Sequence, residues 1–311
     1  MEVRNVGRSG LRTSLVGLGC NNFGIWIGKE AAQKVTQRAL DLGITAFDTA
    51  DVYGEDGASE RLLGEALGSR RKDVAIFTKT GYAPEPATRE VSRRHIIRAC
   101  EASLTRLGTD WIDLYFVHWP DFRTPVEETL RAMDDLIHQG KVRYIGCSNY
   151  PGWQLADASW TARHLNVNPF VAAQEEYSLL ARSIETERLP AIEHFGLGLT
   201  PYFPLASGML SGKYKSRTDL PKQSRLATTP ALANTYLTES NLERTRQLER
   251  FAQERGHSIL ELAFSWLAAL RSVATIIAGA TAPEQVEQNV KSVSWKLTSE
   301  DMKQIDTLLA G

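Results

Sequence analysis

Four ionisable side chains stand at or just beyond the ends of three successive apolar runs. Asp48 closes the run 46–48, and Tyr53 follows in the polar loop that begins at Thr49. Lys79 follows the run 74–78, and His118 follows 114–117. A phenol ordinarily ionises at about pH 10, so it works as an acid near neutrality only with a cation beside it. A lysine at the end of an apolar run needs a carboxylate partner. A histidine between Val117 and Trp119 sits in surroundings that suit a neutral imidazole. Proton donation to an oxygen on which charge develops is the chemistry such a set supports. Each residue alone has a plainer reading, a loop cap for Asp48 and half-buried packing for Tyr53. Their recurrence at consecutive run ends gives the set its weight.

The elements that must position these residues alternate regularly. Strands are expected at 15–19, 46–48, 74–78, 114–117, 144–147, 171–174, 199–202 and 275–278. Helices are expected at 29–41, 59–67, 91–107, 126–139, 153–165, 184–195, 242–255, 258–271 and 284–290, with Ser92 as an N-cap. This pattern predicts an α/β fold, a (β/α)8 TIM barrel formed by residues 1–311 as one domain. An open doubly wound sheet is the alternative. A β-hairpin turning around Gly7 and Gly10 is expected within 2–14. Between the seventh and eighth strands, 213–238 is polar, contains Pro221 and Pro230, and reads as a long loop. Two helices follow it, one more than the repeat requires. In a barrel of this kind chemistry gathers at the C-terminal mouth, where the four ionisable residues lie.

Composition narrows the function. The chain has 311 residues, 42% of them hydrophobic, which allows a large core. A net charge of −1 gives no reason to expect a nucleic acid or an anionic membrane as partner. No apolar run reaches the ~18 residues of a membrane span. The opening Met-Glu-Val-Arg stretch lacks the apolar core of a secretion signal. Cys20, Cys100 and Cys147 are odd in number and widely spaced, so no disulfide framework is expected, and a cytoplasmic location fits. Gly17 and Gly19 are followed next by Gly24, which breaks the dinucleotide-fold spacing and leaves a tight turn. The six histidines show no metal-ligand spacing, and no metal is expected.

The chain resembles the aldo-keto reductase superfamily over almost its whole length. The resemblance is carried by Gly43-Ile-Thr-Ala-Phe-Asp48-Thr-Ala-Asp-Val-Tyr53-Gly54, by Thr78-Lys79, and by Leu104-Thr-Arg-Leu-Gly-Thr-Asp-Trp-Ile-Asp113-Leu-Tyr-Phe-Val-His118-Trp-Pro120. Gly146-Cys-Ser148-Asn149-Tyr150, Gln174, Tyr202-Phe-Pro-Leu-Ala-Ser-Gly208-Met-Leu-Ser-Gly212-Lys213-Tyr214 and Gly279-Ala-Thr-Ala-Pro-Glu-Gln285-Val-Glu-Gln-Asn289 continue it. The motifs look closest to bacterial reductases and to the branch similar to potassium-channel β subunits.

The resemblance implies a nicotinamide cofactor, NADPH/NADP+ with NADH possible, held across the mouth without a dinucleotide-binding domain. It implies Asp48, Tyr53, Lys79 and His118 as the catalytic set. Ser148, Asn149 and Gln174 would hold the carboxamide, and Tyr202 would stack on the nicotinamide. Leu205, Ser207, Gly208 and Lys213 match the loop over the pyrophosphate. Gly279, Thr281, Gln285 and Asn289 match the adenosine end, and Gly19, Cys20 and Asn21 fall on the cofactor side after the first strand. The loop 213–238 would order when cofactor binds. Phe23, Trp26, Tyr82 and Trp119 are the expected walls of an apolar pocket for a small carbonyl substrate. Three positions depart from the family pattern. Phe203 stands where serine is usual, Asn21 where many members carry an aromatic ring, and Thr281 where relatives often place the cation for a 2′-phosphate. The Thr281 hydroxyl and the N-terminus of the helix starting near Pro283 can hold that phosphate more weakly, and Lys213 or Arg217 can substitute for the cation. The expected activity is NADP(H)-dependent reduction of aldehydes or ketones. The rival readings are a nicotinamide-sensing regulatory subunit and a barrel lyase or isomerase that needs no nicotinamide. The oligomeric state stays open.

Overall fold

The computed structural model describes residues 1–309. Strands β1 (Val3–Asn5) and β2 (Arg12–Ser14) form the N-terminal hairpin, with Val3 opposite Ser14. Gly7 turns this hairpin at φ +57, and a Cβ there would lie 2.6 Å from both Gly198 N and Val171 O. That contact lets the hairpin turn press against the closed end of the barrel. Arg4 ties the same end down, donating to the carbonyls of Ala268, Leu270 and Val273.

Eight parallel strands follow: β3 (Val16–Gly19), β4 (Ala46–Asp48), β5 (Ala75–Thr80), β6 (Ile112–Val117), β7 (Val142–Ser148), β8 (Ala172–Gln174), β9 (Gly198–Leu199) and β10 (Ile276–Gly279). They pair in the order β10-β3-β4-β5-β6-β7-β8-β9. Leu199 N donates to Ser272 O and Ala274 N to Leu199 O, each at 2.8 Å, so β9 turns back towards β10. The architecture is the expected (β/α)8 type. Every residue of β5 and β6 is buried, which is why 74–77 and 114–117 read as apolar runs without alternation. Alternation sends Ala46, Phe77, Leu114 and Phe116 into the barrel interior and Phe47, Ile76 and Tyr115 towards the helices. Asp48 and Lys79 share the interior side of their strands. Lys79 lies within β5, one residue before its end, not beyond it.

Several helices begin as expected. Ser92 accepts from His95 N at 3.3 Å and starts Arg93–Leu107. Ser258 and Glu261 form a reciprocal cap at Ile259–Ala269. Other expectations need correction. The helix expected at 184–195 is a 3-10 turn, Ser183–Thr186, and a helix, Arg188–Phe195. Pro190 explains the break, because its ring opposes the carbonyl four residues earlier. The seventh barrel strand ends at Leu199, because Pro201 has no N–H for a ladder. The segment 213–238 is not all loop. It holds the helices Arg225–Thr228 and Pro230–Tyr236, and Pro230 begins the second of them. The helix Ser299–Leu309 was not expected. Among the described residues, no helix is long and apolar enough to cross a membrane.

Candidate active site

Lys79 is the deepest charged group of the mouth, with none of its surface exposed. Its Nζ donates to Asp48 Oδ1 and Oδ2, each at 2.8 Å, and to Thr49 O at 2.6 Å. Three acceptors for three N–H bonds leave the ammonium satisfied. Nζ also stands 4.9 Å from the centroid of the Tyr53 ring. Burial pushes the Lys79 pKa down, but Asp48 and Tyr53 outweigh it and hold it above its usual value. The Tyr53 phenol is pushed up by burial, with Lys79 pulling it down and Asp48 pushing further up, and the net direction is up. Tyr53 therefore rests protonated beside a fixed cation.

His118 meets Tyr53 edge-on at 5.7 Å between centroids and lies 5.3 Å from the Tyr82 ring. Burial, then the charges of Lys79 and Arg89, hold His118 well below the usual imidazole range. A neutral imidazole keeps one N–H to donate. Its Nδ1 is buried without a partner.

Gln174 Nε2 donates to Asp48 Oδ1 at 2.8 Å, and Ser148 Oγ donates to Gln174 O at 2.8 Å. Asn149, at φ +61, donates to His118 O at 3.1 Å and to Ser148 Oγ at 2.9 Å. The Tyr202 hydroxyl donates to Asn149 Oδ1 at 2.9 Å. Ser148, Asn149, Gln174 and Tyr202 thus form one chain of hydrogen bonds that ends on Asp48 and His118.

These residues open onto a cavity of about 830 Å³. Asp48, Tyr53 and His118 lie at one end, with Tyr82, Trp119 and Trp26 around them. Tyr202, Leu205, Ser207, Gly208 and Lys213 also line it, as do Gly279, Thr281, Gln285 and Asn289 at and after the end of β10. The pattern of the Aldo/keto reductase family matches residues 15–310. The chain belongs to the aldo/keto reductase family. It is 38% identical over 301 residues to a protein of Arabidopsis thaliana named probable voltage-gated potassium channel subunit beta, covering 94% of this chain and 91% of that one. It is equally 38% identical, over 323 residues, to the putative voltage-gated potassium channel subunit beta of Schizosaccharomyces pombe, covering 98% of this chain and 92% of that one. The L-glyceraldehyde 3-phosphate reductase of Escherichia coli O157:H7 is 34% identical over 324 residues, covering 100% of this chain and 93% of that one.

In this aldo/keto reductase, two of the residues expected to touch cofactor or substrate do not line the cavity. Cys20 does not line it: the side chain is fully buried towards the helices, and burial pushes its thiol well up. Gly19, at the end of β3, and Asn21, in the turn beyond it, do line the cavity. Phe23 is fully buried in the core, and Asn22 takes the place at the wall. Thr281 and Gln285 bond each other, through Thr281 N at 2.8 Å and Thr281 Oγ1 at 3.2 Å.

Other lining residues were not expected from the sequence. Arg225 projects into the cavity, with its guanidinium 5.4 Å from the Phe203 ring and Nη2 3.4 Å from Asn22 Oδ1. Burial lowers its pKa, and among the described residues it has no carboxylate within salt-bridge distance. Arg217 is exposed and does not line the cavity. Phe203 occupies its variant position at φ +52, edge-on to both Tyr202 and Tyr236. Arg225 lies in a short element where no hydrophobic period marks it.

Proposed function

We propose that this chain is an NADP(H)-dependent carbonyl reductase in which Tyr53 is the general acid. One observation carries the reading: a fully buried ammonium, Lys79, serves both Asp48 and Tyr53 at the floor of an 830 Å³ cavity. Such a pair is costly to bury and is best explained by a phenol that must give up its proton.

The lining fits a dinucleotide. Gly279 leaves open a wall where a Cβ would come 3.0 Å from Asn22 Nδ2, and the hydroxyls of Ser207 and Ser224 are buried without partners. Arg225 and Lys213 bring two cations to the same wall, and we assign the phosphate contacts to them instead of to Arg217. Ser148, Asn149, Gln174 and Tyr202 would hold the nicotinamide end, and Thr281, Gln285 and Asn289 the adenosine end.

When bound, the reduced nicotinamide supplies a hydride to the carbonyl carbon. Tyr53 gives its proton to the carbonyl oxygen. Lys79 stabilises the phenolate that remains, and Asp48 keeps Lys79 charged and in place. The neutral His118 ring donates to the same oxygen and orients it. Gln174 and Ser148 brace Asp48 from behind. Trp26, Tyr82 and Trp119 form an apolar rim that suits a small aldehyde or ketone. A cytoplasmic setting is part of this reading.

A panel of aldehydes and ketones, assayed by loss of NADPH absorbance, tests it. Turnover of at least one carbonyl class is expected, and none across the panel would remove the proposal. The relatives named as channel subunits favour a second reading, a regulatory protein that senses nicotinamide. A stoichiometric membrane partner recovered by pull-down, without turnover, would select it.

A further inference from the structure

Behind the Tyr53 loop, outside the barrel wall, lies a buried polar group that the chemistry above does not use. Thr78 and Thr80 leave β5 on the face opposite Lys79, and Tyr115 leaves β6 on the same face. Glu60 comes from the helix Ala58–Leu67, and His95, Cys100 and Arg106 come from Arg93–Leu107. Asp51 enters from the loop itself, two residues before Tyr53.

Glu60 is fully buried, accepts from Thr78 Oγ1 at 2.5 Å, and pairs with Arg106 Nε at 2.6 Å. Arg106 crosses Gly57 so closely that a Cβ there would lie 2.5 Å from its Nε and 3.1 Å from Asp51 O. Asp51 Oδ1 and the Tyr115 hydroxyl are both buried without a hydrogen-bond partner. Thr80 Oγ1 lies 3.1 Å from His95 Nε2, and its hydroxyl also faces Asp51 and Tyr115.

Two carboxylates, Asp51 and Glu60, therefore face one guanidinium. The other groups are uncharged near neutrality: burial raises Tyr115 well above its usual range and Cys100 to about 12, and lowers His95. Lys79 points away, towards the barrel interior. Burial and then the Glu60 charge push the Asp51 carboxyl up to about 7, against the pull of Thr80, Arg106 and the Val52 amide. The group holds one proton that its charges cannot balance without.

The main chain ties Asp51 to the reacting residues. Asp51 N donates to Lys79 O at 3.3 Å, and Thr49 N donates to Phe77 O at 2.8 Å. Tyr53 N donates to Ala50 O at 3.1 Å, and Ser59 N donates to Tyr53 O at 3.0 Å. The first two of these bonds dock the loop on β5, the other two tie Tyr53 to Ala50 and to the helix Ala58–Leu67, and the Asp51 carboxyl is the loop's side chain in the buried group.

We infer that Asp51 is a positioning residue for Tyr53, and that the carboxyl proton it keeps beside Glu60 holds the loop on β5. The inference rests on the reading of Tyr53 as general acid. Protonated, Asp51 has an O–H to offer Thr80 or Tyr115. Ionised, it has none, and it faces Glu60 as a like charge. Its folded pKa is raised, so the stability it contributes is present at low pH and is lost as pH rises through about 7. Turnover should fall as the folded protein loses that proton, through about pH 7, by way of a group that never touches substrate. Tyr53 itself causes no such fall, because its pKa is above the ordinary phenol value.

The test compares wild type, Asp51→Asn and Glu60→Gln between about pH 5.5 and 9, reading Tm and, at saturating NADPH, kcat and KM. Wild-type Tm should fall as pH rises towards about 7 and level off above it, while kcat should fall through about pH 7 itself. Asparagine, a neutral isostere, should remove both limbs and leave kcat above wild type by about fivefold at alkaline pH, with KM moving less. Glu60→Gln removes the repelling charge, so it should move both limbs to lower pH, and it decides the matter alone if Asp51→Asn does not fold. An Asp51→Asn protein that keeps both wild-type limbs overturns the inference. A Tm limb without a kcat limb overturns the positioning role. If no carbonyl is reduced at all, the proposed function fails, while the Tm profiles still decide whether the proton is there.

Discussion

The two sides of the barrel mouth are built differently. Around β4, β5 and β6 the groups are set by strand register and already bonded to each other, as in the Asp48–Lys79 pair. Around β9 and β10 the wall is irregular backbone. Phe203, Ala206, Ser207 and Gly208 have φ values of +52, +46, +56 and +97, three of them without glycine's freedom. Left-handed residues of that kind cost about 1 kcal/mol or more each. The Ser207 and Ser224 hydroxyls on that side also lack partners. On the β4–β6 side the buried charges are already paired, with His118 Nδ1 left unpartnered, whereas the β9–β10 side combines strained backbone with unpartnered hydroxyls.

Damage to the paired side should have the larger effect. Lys79→Met leaves the Asp48 carboxylate buried with Gln174 as its remaining side-chain donor, and should destabilise the fold by about 3–5 kcal/mol, read by denaturant unfolding. Losing the cation also pushes Tyr53 further up, so residual alcohol oxidation should need a higher pH than in wild type. A residual profile identical to wild type would break the Lys79–Tyr53 pairing.

The strained side should respond to ligand instead. Cleavage within 213–238 under limited proteolysis should slow by about tenfold or more with saturating NADPH, because the bound cofactor supplies the missing contacts. Equal cutting with and without cofactor would erase the contrast between the two sides. Arg225→Ala should weaken NADPH binding by about tenfold, and Arg217→Ala by much less. Equal losses would put the phosphate contact elsewhere.

The smallest effect concerns the 2′-phosphate. With Thr281 in place of a cation, NADPH should be favoured over NADH by only ~1–2 kcal/mol, or about one order of magnitude. Thr281→Arg should widen that margin through NADPH affinity alone, measured as dissociation constants for both cofactors. A wild-type preference for NADH would place the phosphate site wrongly.

The same contrast governs what could be read from the sequence. Asp48, Tyr53, Lys79 and His118 were legible because fully buried parallel strands leave apolar runs, and an ionisable group at their ends stands out. Arg225 was not legible: it begins a four-residue helix with no period around it. The length of β9 and the break before Arg188–Phe195 are set by Pro201 and Pro190, single residues that leave the apolar pattern around them unchanged. Cys20 lies behind the cavity wall, and the burial of Val16 and Leu18 on the helix side of β3 was the sign of it. Asp51 lay inside the motif that carries the resemblance, but its role depends on Glu60 and Arg106, which only the fold brings beside it.

The account rests on Tyr53 as the acid. The most direct measurement is the single-turnover rate of NADPH oxidation by a reactive carbonyl compound in wild type and Tyr53→Phe, after equal cofactor affinity has been shown by fluorescence titration. The hydride step should slow by ~10²–10⁴-fold in Tyr53→Phe with NADPH binding intact. A variant that keeps more than about a tenth of the wild-type rate would show that another group delivers the proton.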